Sequence, residues 1–405
     1  MLTTYVSLPT RPEFSRNMTG FGYMVYDISN SVGQKANVDL LASDSVGDAF
    51  QDNNVHFIRR KYIDIVLNIF RCVSPRILFS LLRKYKLRKG TALRLLYYWL
   101  ISGYYSKVIK KGGYDIVHMH SCNLCNEFWI KVCERHKKKY LITLHALNSF
   151  SETVKLEPGG KQYERDFFMR VNEGKVNVSV ISTGMKRMIE SLNGSNKCDN
   201  INVVCNSFKD YAKMGFPKAA NVRKLYGIPA NAYIILYAGN ISENKNQKQL
   251  VDAFDLIDDT LRDNIYVLFC GKYNNDYPFE KMVHSSKYSN HFILCGQIDR
   301  EEMPAYFEAA NSVVLLSVSE GFGLSLIEGM SYGKPCLTFT DIDAFDDIYN
   351  SCAMIGVKSR NNEDLSIGIG KLINTNWDSN SIIEYSKRFN SSHMADNYIE
   401  VYKNL

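Results

Sequence analysis

The chain has 405 residues, 45% of them hydrophobic and 22% charged. That length exceeds what one hydrophobic core usually supports, so two domains are expected, with the composition of a soluble globular protein. The net charge of +7 conceals an asymmetry: residues 56–111 hold fourteen Lys or Arg against one acid, Asp64, so this segment carries +13 and the remainder −6.

The opening stretch "MLTTYVSLPTRPEF" has neither the basic start nor the apolar core of a secretory signal. Ten cysteines follow no regular spacing, so reduced thiols in the cytosol are expected. Cys122 and Cys125 form one Cys-x-x-Cys with no second pair, too few ligands for a zinc site. After a loop over 8–19, Gly20-Phe-Gly22 opens the first helix.

The basic segment comes next. In "RILFSLLRKYK" (76–86), Leu78, Leu81, Leu82 and Tyr85 recur at helical spacing, with Arg76, Arg83, Lys84 and Lys86 mainly opposite. This pattern reads as an interfacial helix drawn to anionic lipid. The aromatics of "LLYYWLISGYYS", too short to span a bilayer, suit the headgroup layer. The competing reading is a helix whose apolar face is core. No nucleic-acid motif accompanies the charge, so nucleic acid is not expected as a partner.

Short apolar runs then alternate with helical patterns. The first half holds "YDIVHMHS" (114–121), "KYLITLHALNS" (139–149), "VNVSVIST" (176–183) and "INVVCNS" (201–207). The second holds "AYIILYAGN" (232–240), "NIYVLFCGK" (264–272), "HFILCGQ" (291–297), "NSVVLLSVS" (311–319) and "KPCLTFT" (334–340). Such runs suit buried parallel strands in right-handed βαβ units. The fold class is therefore α/β, with two doubly wound, Rossmann-like domains joined within 208–232. His118 and His120 alternate on the first run and are expected to be satisfied core histidines. His145 ends the next.

Two places in the second half suit an anionic ligand. In "SEGFGLSLIEGM", Glu320 follows a strand, Gly321 and Gly323 permit a tight turn, and a helix from about Leu324 offers free N–H groups at its start. Glu328 lies about 6 Å further along the axis. One carboxylate can accept from sugar hydroxyls, the other from a ribose diol. Both can equally be helix-dipole partners. In "YAGNISENKNQKQLVDAF", a strand ends at Gly239 and a helix begins near Asn244. Lys245 then falls in a first turn, where a cation is unfavourable unless an anion joins it.

These runs resemble the retaining GT-B glycosyltransferases of glycosyltransferase family 4. "HFILCGQIDREEMPAYFEAANSVVLLSVSEGFGLSLIEGMSYGKPCLTF" looks like their signature, and "YAGNISENKNQKQLVDAF" like their phosphate motif. "VVCNSFKD" is similar to the segment closing their first domain, and "YSKRFNSSHMADNYIEVYKNL" to their last helix, which crosses back onto it. The resemblance implies two facing domains, 1–210 with 386–405 on the acceptor side, and 211–385 binding the nucleotide sugar. It implies that Glu320 contacts the donor sugar. The amides around Phe322, Gly323 and Leu324, together with Lys245, hold the diphosphate. Glu328 takes the ribose, and Gln297 and Ile298 after Gly296 face the base. Gly20 and Gly22 approach diphosphate and acceptor, and His145 contacts one of them. Where the family has an arginine after Gly239, this chain has Asn240, so one diphosphate cation is missing or comes from elsewhere.

The resemblance further implies transfer of a hexose from a UDP- or GDP-sugar to a hydroxyl with retention, without cofactor or essential metal. Asp341-Ile-Asp343 reads as a loop coincidence rather than a metal motif. With the basic segment, the expected acceptor is a lipid-linked glycan in O-antigen, capsule or lipopolysaccharide assembly. The expected location is cytoplasmic, peripheral on the inner face of the plasma membrane. Two other readings are a GT-B nucleotide-sugar epimerase and a non-catalytic sugar- or lipid-binding scaffold. A dinucleotide dehydrogenase is disfavoured, since no Gly-x-Gly-x-x-Gly follows a strand.

Overall fold

The computed structural model describes every residue except 6–19, 152–155, 193, 195–196, 209–220 and 274–276. The loop 8–19 and the first half of the expected joint thus lie outside the described residues. The chain forms two compact units, Met1–Val204 with Ser391–Leu405, and Cys205–Asn390.

The first unit is built on eight strands: β1 (Leu2–Tyr5), β2 (Asp39–Val46), β3 (Phe50–Asp52), β4 (Val55–Arg60), β5 (Ile116–His120), β6 (Lys139–Leu144), β7 (Val178–Val180) and β8 (Ile201–Val203). Their order is β3-β4-β2-β1-β5-β6-β7-β8. All neighbours are parallel except the β3–β4 pair. The second unit holds β9 (Tyr233–Ala238), β10 (Ile265–Cys270), β11 (Phe292–Gly296), β12 (Ser312–Leu315), β13 (Cys336–Phe339) and β14 (Met354–Val357). These six are all parallel, in the order β11-β10-β9-β12-β13-β14.

All nine expected strands are present. The sequence reading missed five, each for a local reason. β2 and β3, "DLLASDSV" and "FQD", interleave polar residues. β4, "VHFIRR", ends in cations and merges with the basic segment. β1, "LTTY", is half threonine, and β14, "MIGV", carries a glycine.

In each sheet the chain adds strands to one side, then returns to the starting strand and builds the other way. The reversal falls between β1 and β5 in one unit and between β9 and β12 in the other. Loops leaving the carboxyl ends of such neighbours diverge and leave a crevice, the usual ligand position of open α/β sheets. The last helix, Ser391–Asn404, returns to the first unit and packs beside α1 (Gly20–Gly33). Its stripe Met394, Tyr398 and Val401 joins Val25, Ile28, Leu40 and Phe57 in one core.

The basic segment beyond β4 folds as α2 (Ile63–Leu67), a short turn Ile69–Arg71, α3 (Pro75–Lys84) and α4 (Lys89–Gly112). Here two expectations are corrected. The stripe assigned to a membrane faces mainly inward: Leu78 and Tyr85 are 3% and 5% exposed, and Leu81 and Leu82 are half-buried. The aromatics of α4 are largely core too. Tyr98, Tyr104 and Tyr105 are buried, and Tyr105 stacks on Trp129 with centroids 3.8 Å apart. The physical reason is that α3 packs on α4, and α4 on the helix Asn126–Arg135, so their most regular apolar stripes are used inside the unit. The exposed apolar residues are a different set, taken up below.

Candidate active site

Lys245 and Glu320 stand 75 positions apart in the sequence. The topology brings them together, because one follows β9 and the other follows β12, the two strands at the reversal point. Lys245 Nζ lies 2.5 Å from Glu320 Oε2. The two loops are stitched at several points. Tyr237, at the end of β9, is fully buried; its hydroxyl donates to the Lys245 carbonyl and accepts from the Leu316 N–H at 2.7 Å. Asn244 donates to the Ser319 carbonyl at 3.1 Å and accepts from the Ser319 N–H at 3.2 Å. The Val318 N–H donates to the Asn244 carbonyl at 2.7 Å.

Glu320 also accepts from the Ser317 hydroxyl at 3.0 Å. Burial pushes its carboxyl pKa upward, but the Lys245 ammonium, the Ser317 hydroxyl and the Gly323 N–H together hold it below the usual carboxylate range. Glu320 is therefore an anion at neutral pH, and the Gly323 amide is directed at it. Lys245 reaches Glu320 with one contact, and an ammonium has three donors. Its pairing therefore leaves capacity for a second anion.

The helix Leu324–Ser331 begins directly after Gly323, which sits at φ 86° and provides no side-chain cap. A β-carbon there would lie 3.2 Å from a Leu326 methyl and 3.3 Å from one of Leu315, in a backbone region that favours glycine. Phe322 turns its ring inward, 2% exposed and edge-on to Phe389, so only its backbone faces the loop. Leu324 and Glu328 are half-buried, Glu328 one turn into the helix.

The strand ends beside this loop are close-packed backbone. The Gly239 N–H donates to Cys270 O at 2.9 Å, and the Gly271 N–H to Gly296 O at 2.8 Å. A β-carbon on Gly271 would fall 2.0 Å from the Gly239 carbonyl oxygen. Asn240 is exposed, and its carbonyl accepts from Gln247 at 3.0 Å. Gln297 is exposed and Ile298 half-buried just past β11.

Arg360 is a cation the sequence reading missed. It grips Asp341 with two bonds of 2.7 Å and donates to the Ser317 carbonyl at 3.0 Å. It lies over the Phe339 ring at 4.4 Å. Asp341 of the Asp-x-Asp is thus engaged by a guanidinium. Tyr237, Asn244, Ser317 and Arg360 all act through loop-to-loop contacts, for which local sequence holds no spacing signal.

The first unit has its own polar cluster at its reversal point. His120 Nε2 lies 3.0 Å from Thr3 Oγ1, and its Nδ1 lies 3.1 Å from His145 Nε2. His118 Nε2 meets Thr143 Oγ1 at 2.6 Å, and Tyr402 from the last helix reaches its Nδ1 at 2.8 Å. His118 and His120 are the satisfied core histidines expected of them, at 0% and 5% exposure. Gly20 and Gly22 lie at the start of α1.

Burial lowers the pKa of His118 and His145 to about 3, with repulsion from His145 adding to the effect on His118. His120 is pushed down for the same reasons. An unfolded chain titrates its histidines near 6.5, so between those values it binds more protons than the folded one. The stability contributed by this cluster is complete above pH 6.5 and lost as pH falls toward 3. Urea midpoints of the wild type are expected to drop between pH 7 and pH 5 by more than those of His145→Asn. Parallel pH curves would remove the cluster as the cause.

The fold is that of the GT-B class. Across the whole chain the structure superposes on sucrose-phosphate synthase from Thermosynechococcus elongatus with a TM-score of 0.70 at 18% identity, covering 98% of that chain. It superposes on HepE from Anabaena, solved with UDP and glucose, with a TM-score of 0.64 at 14% identity, covering all of both chains.

Residues 219–389, most of the second unit and all of the Lys245–Glu320 site, match the family described as Glycosyl transferases group 1. In sequence the chain is similar to a putative glycosyltransferase of Bacillus subtilis, EpsD, at 22% identity over 57% of this chain and 60% of that protein. It is also similar to an O-antigen biosynthesis glycosyltransferase of Escherichia coli, WclY, at 25% over 46% of this chain and 51% of that one. The matches thus span between half and two thirds of these two relatives.

Proposed function

We propose that the protein is a retaining glycosyltransferase. It moves a hexose from a UDP- or GDP-linked donor to a hydroxyl of a lipid-linked glycan in the assembly of O-antigen, capsule or a related surface polysaccharide. The observation that carries this reading is the half-buried Glu320–Lys245 pair beside an uncapped helix start at the sheet's reversal point, within the stretch that matches group 1 glycosyl transferases. The O-antigen role of the E. coli relative and the UDP and glucose bound in the HepE structure support the same reading.

Departure of the nucleoside diphosphate places negative charge on its leaving oxygen. Lys245 and the amides of Phe322 and Leu324 stabilise that charge. Glu320, held ionised, accepts from hydroxyls of the donor sugar. Glu328 binds the ribose, and Gln297 and Ile298 flank the base. Gly239 and Asn240 border the diphosphate. His145, kept neutral by burial, serves as a hydrogen-bonding group and not as a cation. The leaving phosphate accepts the acceptor's proton, so no enzyme nucleophile, cofactor or metal enters the reaction. The enzyme works in the cytoplasm, attached through residues 56–111 to the anionic inner face of the plasma membrane.

A thermal-shift panel of UDP-, GDP- and ADP-sugars tests the reading. A donor at about a hundred times its Kd adds about 2.7 kcal/mol to stability, a readily measured rise. Wild type should respond to one base class, and Glu320→Ala should respond weakly. The absence of a response to every donor would overturn it. NMR of the anomeric proton of the product then reports retention or inversion.

A further inference from the structure

Nine of the large apolar side chains that stand exposed fall between residues 62 and 96, among them Ile63, Val66, Phe70, Phe79, Leu93 and Leu96. Phe79, Leu93 and Leu96 line a groove of about 380 Å³ between α3 and α4, floored by Leu78, Leu82 and Trp99. Its walls are almost pure hydrocarbon. Trp99 has one polar atom, and its Nε1–H is spent on the Val73 carbonyl at 2.9 Å. Lys89 stands at the edge.

The surroundings carry more cations than acids; besides Asp64 the acids that touch the segment near the groove are Glu157, which accepts from the Arg88 N–H at 2.7 Å, and Asp166. Asp64, the one acid of the segment, is buried and held by Lys107 at 2.7 Å and by the Lys61 N–H at 2.7 Å. Lys84 is tied to Asp166 at 2.7 Å. Arg76, Arg83, Lys86, Lys89 and Arg94 are exposed and form no ion pair among the described residues.

We propose that this groove receives an acyl chain of an anionic phospholipid bilayer, with the exposed apolar residues of α2 and the turn after it entering the same interface and the five cations meeting the headgroups. The proposal rests on the membrane reading above and is independent of the transfer reaction. A hydrocarbon chain suits the groove because it needs no hydrogen-bond partner. An extended peptide laid there would leave the N–H and C=O groups that face the groove unpaired. A second copy of this chain would bring the same cations against themselves in a two-fold contact. Anionic headgroups complement the rim, and the exposed apolar residues complement the layer beneath.

The test uses the full chain with vesicles of phosphatidylcholine alone or mixed with phosphatidylglycerol, some carrying brominated acyl chains. Flotation with the mixed vesicles is expected, weakening as salt rises from about 0.1 M to about 1 M. In a Trp377→Phe background, which removes the half-buried tryptophan of the second unit, brominated chains should quench tryptophan fluorescence, and adding Trp99→Phe should abolish the quenching, since Trp129 is buried. Leu93→Gln with Leu96→Gln is expected to reduce bound protein at least tenfold. Both residues are well exposed, so the fold should persist, as an unchanged melting curve would verify. Binding without quenching of Trp99, failure to float with anionic vesicles, or a self-association removed by the Leu93/Leu96 pair would each overturn the proposal. The donor thermal shift, measured on the same variants, should not change, so loss of lipid binding and loss of donor binding remain separable.

Discussion

Lys245→Met is expected to weaken the second unit by about 2 kcal/mol and, under the proposed function, to lower sugar transfer by about 10²- to 10³-fold. The stability effect follows from what is left behind. Glu320 is nearly enclosed, with 14% of its side chain exposed, and Lys245 is its charged partner. Without the ammonium, the influence of burial on its carboxyl loses its main opponent. Its pKa should rise, and the unit should become less stable at neutral pH than at mildly acidic pH, where the proton neutralises it.

The figure lies between exposed and fully buried ion pairs because Lys245 keeps 26% of its side chain in solvent. Adding Glu320→Gln to Lys245→Met should restore much of the stability and none of the transfer. Denaturant unfolding of the two single variants and the double gives the coupling directly. Additive losses would mean the pair is not energetically linked. Recovery of transfer in the double variant would remove Glu320 from the proposed chemistry.

Arg170→Met should cost the first unit about 3 kcal/mol, the low end for a buried ion pair, since Glu127 is buried while Arg170 keeps 33% of its side chain in solvent. Glu127 has 6% of its side chain exposed and is held by both terminal nitrogens of Arg170 and by the Tyr163 hydroxyl at 2.7 Å. In the variant, only Tyr163 would remain among these three donors. For a unit of this size the loss corresponds to a fall in Tm of about 10 °C. Glu127→Gln combined with Arg170→Met should return part of it, because an amide is cheaper to bury than a lone carboxylate. A melting curve for Arg170→Met within about 1 °C of wild type would show that solvent reaches Glu127. The pair supports the first unit's polar cluster indirectly: Glu127 opens the helix after β5, where Asn126 donates to the His120 and Ser121 carbonyls at 3.3 and 2.8 Å.

The second unit's organisation was largely legible in the sequence. Its strands "YIILYA" and "IYVLFC" are continuous apolar runs, because a parallel strand covered on both faces must be apolar throughout. The helix start at Leu324 was legible too, since the backbone there adopts a left-handed residue before the helix and glycine does so without strain. Composition located the cationic segment.

Tertiary structure alone decided the rest. Lys245 was expected in the first turn of a helix begun near Asn244, but it ends the 3-10 turn Glu243–Lys245 and the α-helix starts only at Gln247; the strand order β9-β12 set it against Glu320. Asn240 stands where a cation was expected. The chain's own nearby cation, Arg360, comes 120 positions later and braces the Ser317 carbonyl and Asp341. Periodicity identified apolar faces on 76–86 but not which of them would meet water. Leu78 and Tyr85 went inward and Phe79, Leu93 and Leu96 outward, because a helical pattern records that a face is apolar and only the neighbouring helix determines what covers it.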